Sequence, residues 1–251
     1  MARKPRVVIP GVPLHVISRA AAGRTLFQTD QECDAYLTRL NTLAEAEGVQ
    51  IHAYCLMTNH VHLLLTPVRS ETAVSKLMQR LNTAYAGYFN RARSTYGAVF
   101  SRFYSSCLDD SHFWAAMRYI ELNPVRAEMV KYPEQWTHSS ARAHIAGQDN
   151  PDSPVRLTWD VFKNRARIDD WRTYLVKPSA RETAQQSVSA ERDLLNWYAR
   201  TGRAIGSRGW LQQRATDTSR KLDWPHRRSS KPPASVIKYR REQASAAPPP
   251  N

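Results

Sequence analysis

The chain has 251 residues, 42% hydrophobic and 10% aromatic, enough for one well-buried domain plus an extension and unlike a disordered composition. Three cysteines without CxxC spacing (Cys33, Cys55 and Cys107) argue against a disulfide framework or a cysteine zinc site, and the absence of an 18-residue apolar run argues against a membrane helix. A net charge of +14, with pI near 10, directs attention to a polyanionic partner.

In chain order, residues 12–19 alternate apolar and polar positions as a strand. Thr29-Asp30-Gln31-Glu32 is a capping box, followed by Cys33, Tyr36, Leu37, Leu40 and Ala44 at helical spacing and by Gly48 as a stop. Val49–Met57 and His60–Pro67 read as a strand hairpin turning at Thr58-Asn59, in which His15 from the first strand and His52 count as ordinary sheet residues. Ser70 is expected to cap a long amphipathic helix with Val74, Leu77, Met78, Leu81, Tyr85 and Tyr88 on its buried stripe. Residues 91–107 read as a loop or hairpin carrying Arg102. Asp109 or Asp110 starts a helix with Phe113, Trp114, Met117 and Ile120 inside, disturbed at Pro124 and followed by a short turn of helix over 125–130.

This order predicts an α+β fold: an antiparallel sheet with helices on one face, close to the ferredoxin-like or split βαβ plan, and a basic, partly helical C-terminal extension. The expected division is 1–147, 148–223 and a Pro- and Arg-rich tail over 224–251 that the composition marks as disordered. Within the extension, helices are expected over 159–174 and 190–201, a turn over 201–207, and another helical piece from 210. The sheet face opposite the helices is left to carry the histidines.

His60-Val61-His62 is the first chemical signal. Side chains two apart on a strand point the same way, about 7 Å apart, so two imidazoles can converge on one divalent ion. Tyr119 and Asn123, four apart on a helix, can likewise be presented together. Metal ligands beside a phenol suggest covalent phosphoryl transfer with tyrosine as nucleophile. Asn123-Pro124 also suits a helix start, with Asn as cap and Pro in the first turn.

The segments Tyr54-Cys55-Leu56-Met57-Thr58-Asn59-His60-Val61-His62-Leu63-Leu64 and Arg118-Tyr119-Ile120-Glu121-Leu122-Asn123-Pro124-Val125-Arg126-Ala127 resemble the single-tyrosine HUH transposases. Together with Arg102-Phe103-Tyr104-Ser105-Ser106 between them, they are most similar to the branch of REP-associated tyrosine transposases. The resemblance covers residues 8–145. After the first strand the chain departs from it, with Arg19-Ala20-Ala21-Ala22-Gly23-Arg24 where a Gly-Asn turn is common. The resemblance implies a nuclease and strand transferase acting on single-stranded or hairpin DNA, dependent on Mg2+ or Mn2+. Matched by motif, His60, His62 and Asn123 would be metal ligands and Tyr119 the nucleophile.

Arg19, Arg91, Arg93, Arg102, Arg118 and Arg126 lie near these segments as candidate DNA contacts, and Tyr96, Phe103 and Tyr104 could stack on unpaired bases. Arginine outnumbers lysine 28 to 8, and residues 151–251 carry a net +10 against +4 for 1–150. Guanidinium offers a planar fork suited to phosphate. The expectation is therefore a cytoplasmic, nucleoid-associated strand transferase, monomeric or homodimeric, with no nucleotide cofactor and no membrane contact. Two rivals are a non-catalytic binder of structured DNA or RNA on the same fold and a metal hydrolase that activates water.

Overall fold

β1 (Leu14–Arg19), β2 (Val49–Met57), β3 (His60–Pro67) and β4 (Tyr104–Cys107) form one antiparallel sheet in the order β2-β3-β1-β4. α1 (Asp30–Glu47) and α2 (Ala73–Ala92) make the crossovers, which is the split βαβ plan expected from the order of elements. The computed structural model describes residues 6–160, 170–176, 184–218 and 232–245.

Local sequence explains most of these boundaries. Thr29 Oγ1 accepts from the Glu32 N–H at 3.3 Å while the Glu32 carboxylate accepts from the Thr29 N–H, so the capping box is closed. Gly48 ends α1 at φ +63°, a conformation that costs glycine little. The hairpin turns at Thr58-Asn59 as expected. α2 starts at Ala73 without a side-chain cap, because Ser70 instead accepts from the Thr72 N–H. Its buried stripe gains Phe89, while Tyr88 is only partly buried.

β4 lies in the segment read from sequence as a loop or hairpin. It pairs with β1 from Leu14↔Cys107 to Ile17↔Tyr104. Only four residues long, and with Ser105 and Ser106 at its centre, it carries little strand signal of its own. The partner strand supplies the rest.

A bulge in β2 decides which residues face which core. The register passes from Ile51↔Leu65 directly to Ala53↔Leu64, leaving His52 as the extra residue. The bulge shifts the alternation, so Tyr54 and Leu56 join Ile51 in one core while Ala53, Cys55 and Met57 enter the other. On β3, Val61, Leu63 and Leu65 face the first core. His60 and His62 therefore face the second.

The first core is covered by α1 and α2. The second face is not open. α3 (Asp110–Glu121), α6 (Trp171–Val176), α7 (Ala184–Thr201) and α9 (Ala234–Ser245) pack residues such as Met117, Leu175, Leu195 and Val236 against it. The described residues also include α4 (Asn123–Arg126), α5 (Ala141–Ala146) and α8 (Arg208–Thr218).

The extension is thus part of both cores, with Val155, Leu157 and Ala204 in the first. The helix expected over 159–174 is described from Trp171, since residues 161–169 lie outside the described residues. The tail expected to be disordered needs correction over 234–245. Val236 and Tyr239 sit three apart, so one helical face buries Val236 and sets Tyr239 edge-on to His112, with ring centroids 5.4 Å apart. Residues 224–231 and 246–251 of that tail lie outside the described residues.

From Ala116 to Glu121 α3 is buried on every side, and its far side is pinned by Glu121. This fully buried carboxylate accepts from Ser140 Oγ at 2.6 Å, from Trp171 Nε1 at 2.7 Å and from His144 Nδ1. Glu121→Ala removes a buried acceptor shared by three buried groups and should cost about 3 kcal/mol or more, whereas Thr29→Ala should cost about 1 kcal/mol. Urea denaturation ranks the two. Equal costs would mean that the carboxylate does not anchor α3.

Candidate active site

The register of β1 with β3 sets His60 opposite Arg19 and His62 opposite Ile17. Both histidines project from the same face of the sheet, with ring centroids 4.9 Å apart and planes nearly perpendicular. His60 is partly exposed and its Nδ1 is hydrogen-bonded to Asn59 Oδ1 at 2.7 Å. His62 is fully buried. Its Nδ1 lies 2.9 Å from Nε2 of His15, while its Nε2 has no hydrogen-bond partner among the described residues.

α3 brings Tyr119 against this pair. Its ring stands edge-on to His62 at 5.3 Å and to His15 at 5.8 Å. α3 then stops at Glu121, because Pro124 interrupts the chain and α4 begins at Asn123. The break lets two side chains from α4 reach back to the tyrosine. Asn123 Nδ2 donates to the carbonyls of Tyr119 at 2.8 Å and Ile120 at 3.4 Å, and Arg126 Nη1 donates to the Tyr119 carbonyl at 2.9 Å. The Arg126 guanidinium also lies 5.0 Å from the centre of the Tyr119 ring.

Tyr119 is only 2% exposed. α7 covers it, and Asn196 Nδ2 donates to its hydroxyl at 3.0 Å. Burial raises the phenol's pKa, opposed by the Asn196 hydrogen bond and by the charges of Arg126, Arg19 and Arg192. In this closed arrangement desolvation outweighs the cations, and the phenol stays protonated at neutral pH.

The imidazoles are held neutral for the same reason. Burial lowers His15 to about 3, and burial with the charge of Arg19 lowers His60 to about 4. His62 is pushed well below its ordinary value, by burial first and then by His60, His15 and nearby arginines. Neutral imidazole is the form that ligates a cation. The two histidines therefore fit a divalent ion, and the unpartnered Nε2 of His62 is the clearest donor. Asn123 spends its amide nitrogen on α3, which leaves its oxygen as the atom a cation could take. Among the described residues, no three or more His, Cys, Asp and Glu side chains are arranged to hold a metal ion. Burial pushes the Cys33 and Cys107 thiols up to about 12, which leaves them inert as nucleophiles at neutral pH.

The arginines singled out from sequence divide sharply. Arg19 and Arg126 lie at the phenol. Burial and the charge of Arg200 lower the pKa of Arg19. Arg91 and Arg102 are exposed, Arg102 lying 5.3 Å from the ring of Tyr104. Arg93 is ion-paired with Glu32 and sits over Phe89, bracing α1 to α2. Arg118 is buried, and its Nε donates to the Leu175 carbonyl at 3.1 Å, so it is a packing contact rather than a surface charge. Of the stacking candidates, Tyr96 is 90% exposed, Tyr104 is partly buried, and Phe103 is a core residue under Arg6.

Sequence reasoning missed His15 and Asn196. Alternation along β1 puts His15 on the face of His62, a signal that becomes visible only once the two strands are paired. Asn196 lies 77 residues beyond Tyr119 and carries no local signature.

Residues 9–123 match the family model described as "Transposase IS200 like". A solved structure of a REP-associated tyrosine transposase bound to a REP hairpin is similar in fold. Its TM-score is 0.50 at 18% sequence identity, covering 63% of this chain and 94% of that one. No curated protein matches the chain.

The buried histidines set a pH dependence of stability. Below about pH 6.5 the unfolded chain binds protons that the folded chain refuses, so stability falls as pH drops toward the folded-state values. His15, fully buried, contributes up to about 1.4 kcal/mol per pH unit in this window. Urea denaturation of the metal-free protein between pH 6.5 and 4 should show a shallower decline in His15→Leu than in the wild type. An unchanged slope would place His15 in a solvated environment.

Proposed function

We propose that this chain, whose residues 9–123 belong to the IS200-like transposases, cleaves and rejoins single-stranded DNA through Tyr119, next to a hairpin. The observation that carries this reading is the packing of the Tyr119 ring against His62 within one chain, at 5.3 Å. Nucleophile and candidate ligands need no second copy to meet, so a monomer could hold a whole site. The REP hairpin bound by the similar structure supports structured DNA as the partner. The net +10 of residues 151–251 supplies a salt-dependent attraction for its phosphates. A DNA partner implies work on the nucleoid in the cytoplasm. No helix among the described residues is long and apolar enough to cross a membrane.

The chemistry balances without an external energy source. Tyr119 Oη forms a bond to phosphorus as the bond from phosphorus to the 3′ oxygen breaks, and the phenolic proton ends on the released 3′ hydroxyl. The product is a 5′-phosphotyrosine. Attack on it by a 3′ hydroxyl restores a phosphodiester and returns the proton to the phenol. His60, His62 and the Asn123 oxygen would hold a divalent cation, Mg2+ or Mn2+. Bound there, the ion would neutralise a non-bridging phosphate oxygen. Arg126 and Arg19 add positive charge where the attacking oxygen becomes anionic. A phenol of ordinary pKa near 10 needs that help.

The same burial sets a condition on the reaction. A phosphate reaches Oη only after Asn196 releases it and α7 moves aside. Binding of a hairpin with a single-stranded flank should therefore speed amide hydrogen exchange across 184–201. Unchanged protection in α7 alongside cleavage would show that the phenol is reached by another route. The burial also favours a second reading, a non-catalytic binder of structured DNA that retains the fold.

A covalent adduct decides between them. With Mn2+ or Mg2+ and a 5′-labelled or 3′-labelled hairpin oligonucleotide, the wild type should form a denaturant-resistant species that retains only the label 3′ to the cut. Tyr119→Phe should form none. His60→Ala with His62→Ala should abolish cleavage while leaving much of the DNA binding, because the basic surface supplies the latter. Cleavage that persists in Tyr119→Phe without any adduct would point to the metal hydrolase, and no cleavage by any form would point to the binder.

A further inference from the structure

We infer that His15 is a positioning residue, which selects the tautomer of His62 able to ligate a cation by accepting a hydrogen bond from His62 Nδ1–H. The inference rests on the reading of His60 and His62 as the metal-binding pair.

His15 occupies the middle of β1, where its neighbours Leu14, Val16 and Ile17 are buried apolar residues. It is fully buried itself and lies diagonally across the β1–β3 ladder from His62. The two rings lie nearly in one plane, edge to edge, with centroids 5.2 Å apart and planes 13° apart, and the nitrogens facing one another are separated by 2.9 Å. An aliphatic side chain would suit such a place better than an imidazole with an unpartnered nitrogen, because burying a polar atom without a hydrogen bond costs free energy. His15 Nδ1 has no hydrogen-bond partner among the described residues.

Two neutral imidazoles at this separation can share one proton in only two ways. In one, His15 Nε2–H donates to His62 Nδ1. The proton of His62 then sits on Nε2, where it blocks ligation. In the other, His62 Nδ1–H donates to His15 Nε2, and His62 Nε2 presents a bare lone pair. Both leave His15 Nδ1 and His62 Nε2 without a partner among the described residues, so those residues by themselves choose weakly between them. A cation at Nε2 is compatible only with the second. His15 supplies the acceptor that this state requires, in the manner of the carboxylates and carbonyls that commonly orient metal-bound histidines. Its own Nε2 is occupied by the His62 N–H and its Nδ1 carries the ring's proton in this state, so neither is a third ligand.

The test measures metal binding directly, by electron paramagnetic resonance of free Mn2+ during titration of the full-length protein. His15→Leu fills the sheet position with an apolar side chain but removes the acceptor. It should weaken Mn2+ binding by about 10- to 100-fold. His15→Gln can place an amide oxygen near the lost Nε2 and should stay within about threefold of the wild type, since a good acceptor restores the orienting bond. Hairpin affinity measured in chelator should be the same in all three proteins. His15→Leu binding Mn2+ as tightly as wild type would overturn the inference, as would equal weakening in Leu and Gln, which would mark a packing role. His62→Ala is the control for the site reading. If it binds Mn2+ like the wild type, or if the wild type binds none, that reading fails and this inference falls with it.

Discussion

The contact between the His62 imidazole and the Tyr119 ring is the interaction on which the candidate site depends. Neither residue could serve a phosphoryl transfer without the other nearby, and they come from elements nearly sixty residues apart. The contact exists because the second sheet face is packed rather than open. The bulge at His52 turns Ala53, Cys55 and Met57 toward that face, where they build with Leu64 the apolar surface on which α3 lies. Glu121, two residues beyond the tyrosine, ties the opposite side of α3 to α5 and α6 through Ser140, His144 and Trp171. Tyr119 is thereby held from both sides of its helix.

Electrostatics at this contact are a balance between desolvation and charge. Burial keeps the imidazoles of His15, His60 and His62 neutral, each with a lone pair able to accept a hydrogen bond. The same low-polarity surroundings hold the phenol in its unreactive form, despite nearby guanidiniums. A phosphate and a cation entering the site would change both sides of this balance at once, by neutralising charge on the substrate and by requiring α7 to lift. In the proposed reaction, substrate entry and activation of the phenol would be one event in physical terms.

The C-terminal extension does more than its charge suggests. Its composition reads as a basic appendage for holding DNA, and the charge excess is real. Yet Leu195, Trp197 and Tyr198 of α7 belong to the core beneath the histidines, and Asn196 on the same helix meets the catalytic candidate. One amphipathic helix thus closes the core and covers the phenol. Arg118 makes the converse point: a guanidinium beside the motif tyrosine in sequence is buried against Leu175, far from the role its neighbours suggest.

Much of this protein was legible in its residues. The capping box at Thr29, the stop at Gly48, the hairpin around Thr58-Asn59 and the stripe of α2 are governed by interactions within a few residues, so local pattern suffices for them. The same holds for His60 and His62, whose common face comes from strand geometry alone. Other features depend on partners distant in the chain. β4 becomes a strand because β1 offers it hydrogen bonds, and His15 meets His62 only through strand pairing. Asn196 reaches Tyr119 only because apolar surfaces from both ends of the chain pack together. Which chemical groups were present was set by the order of amino acids. Which of them touch, and that Tyr119 lies under cover, was decided by long-range burial of apolar surface, a quantity no short window of sequence contains.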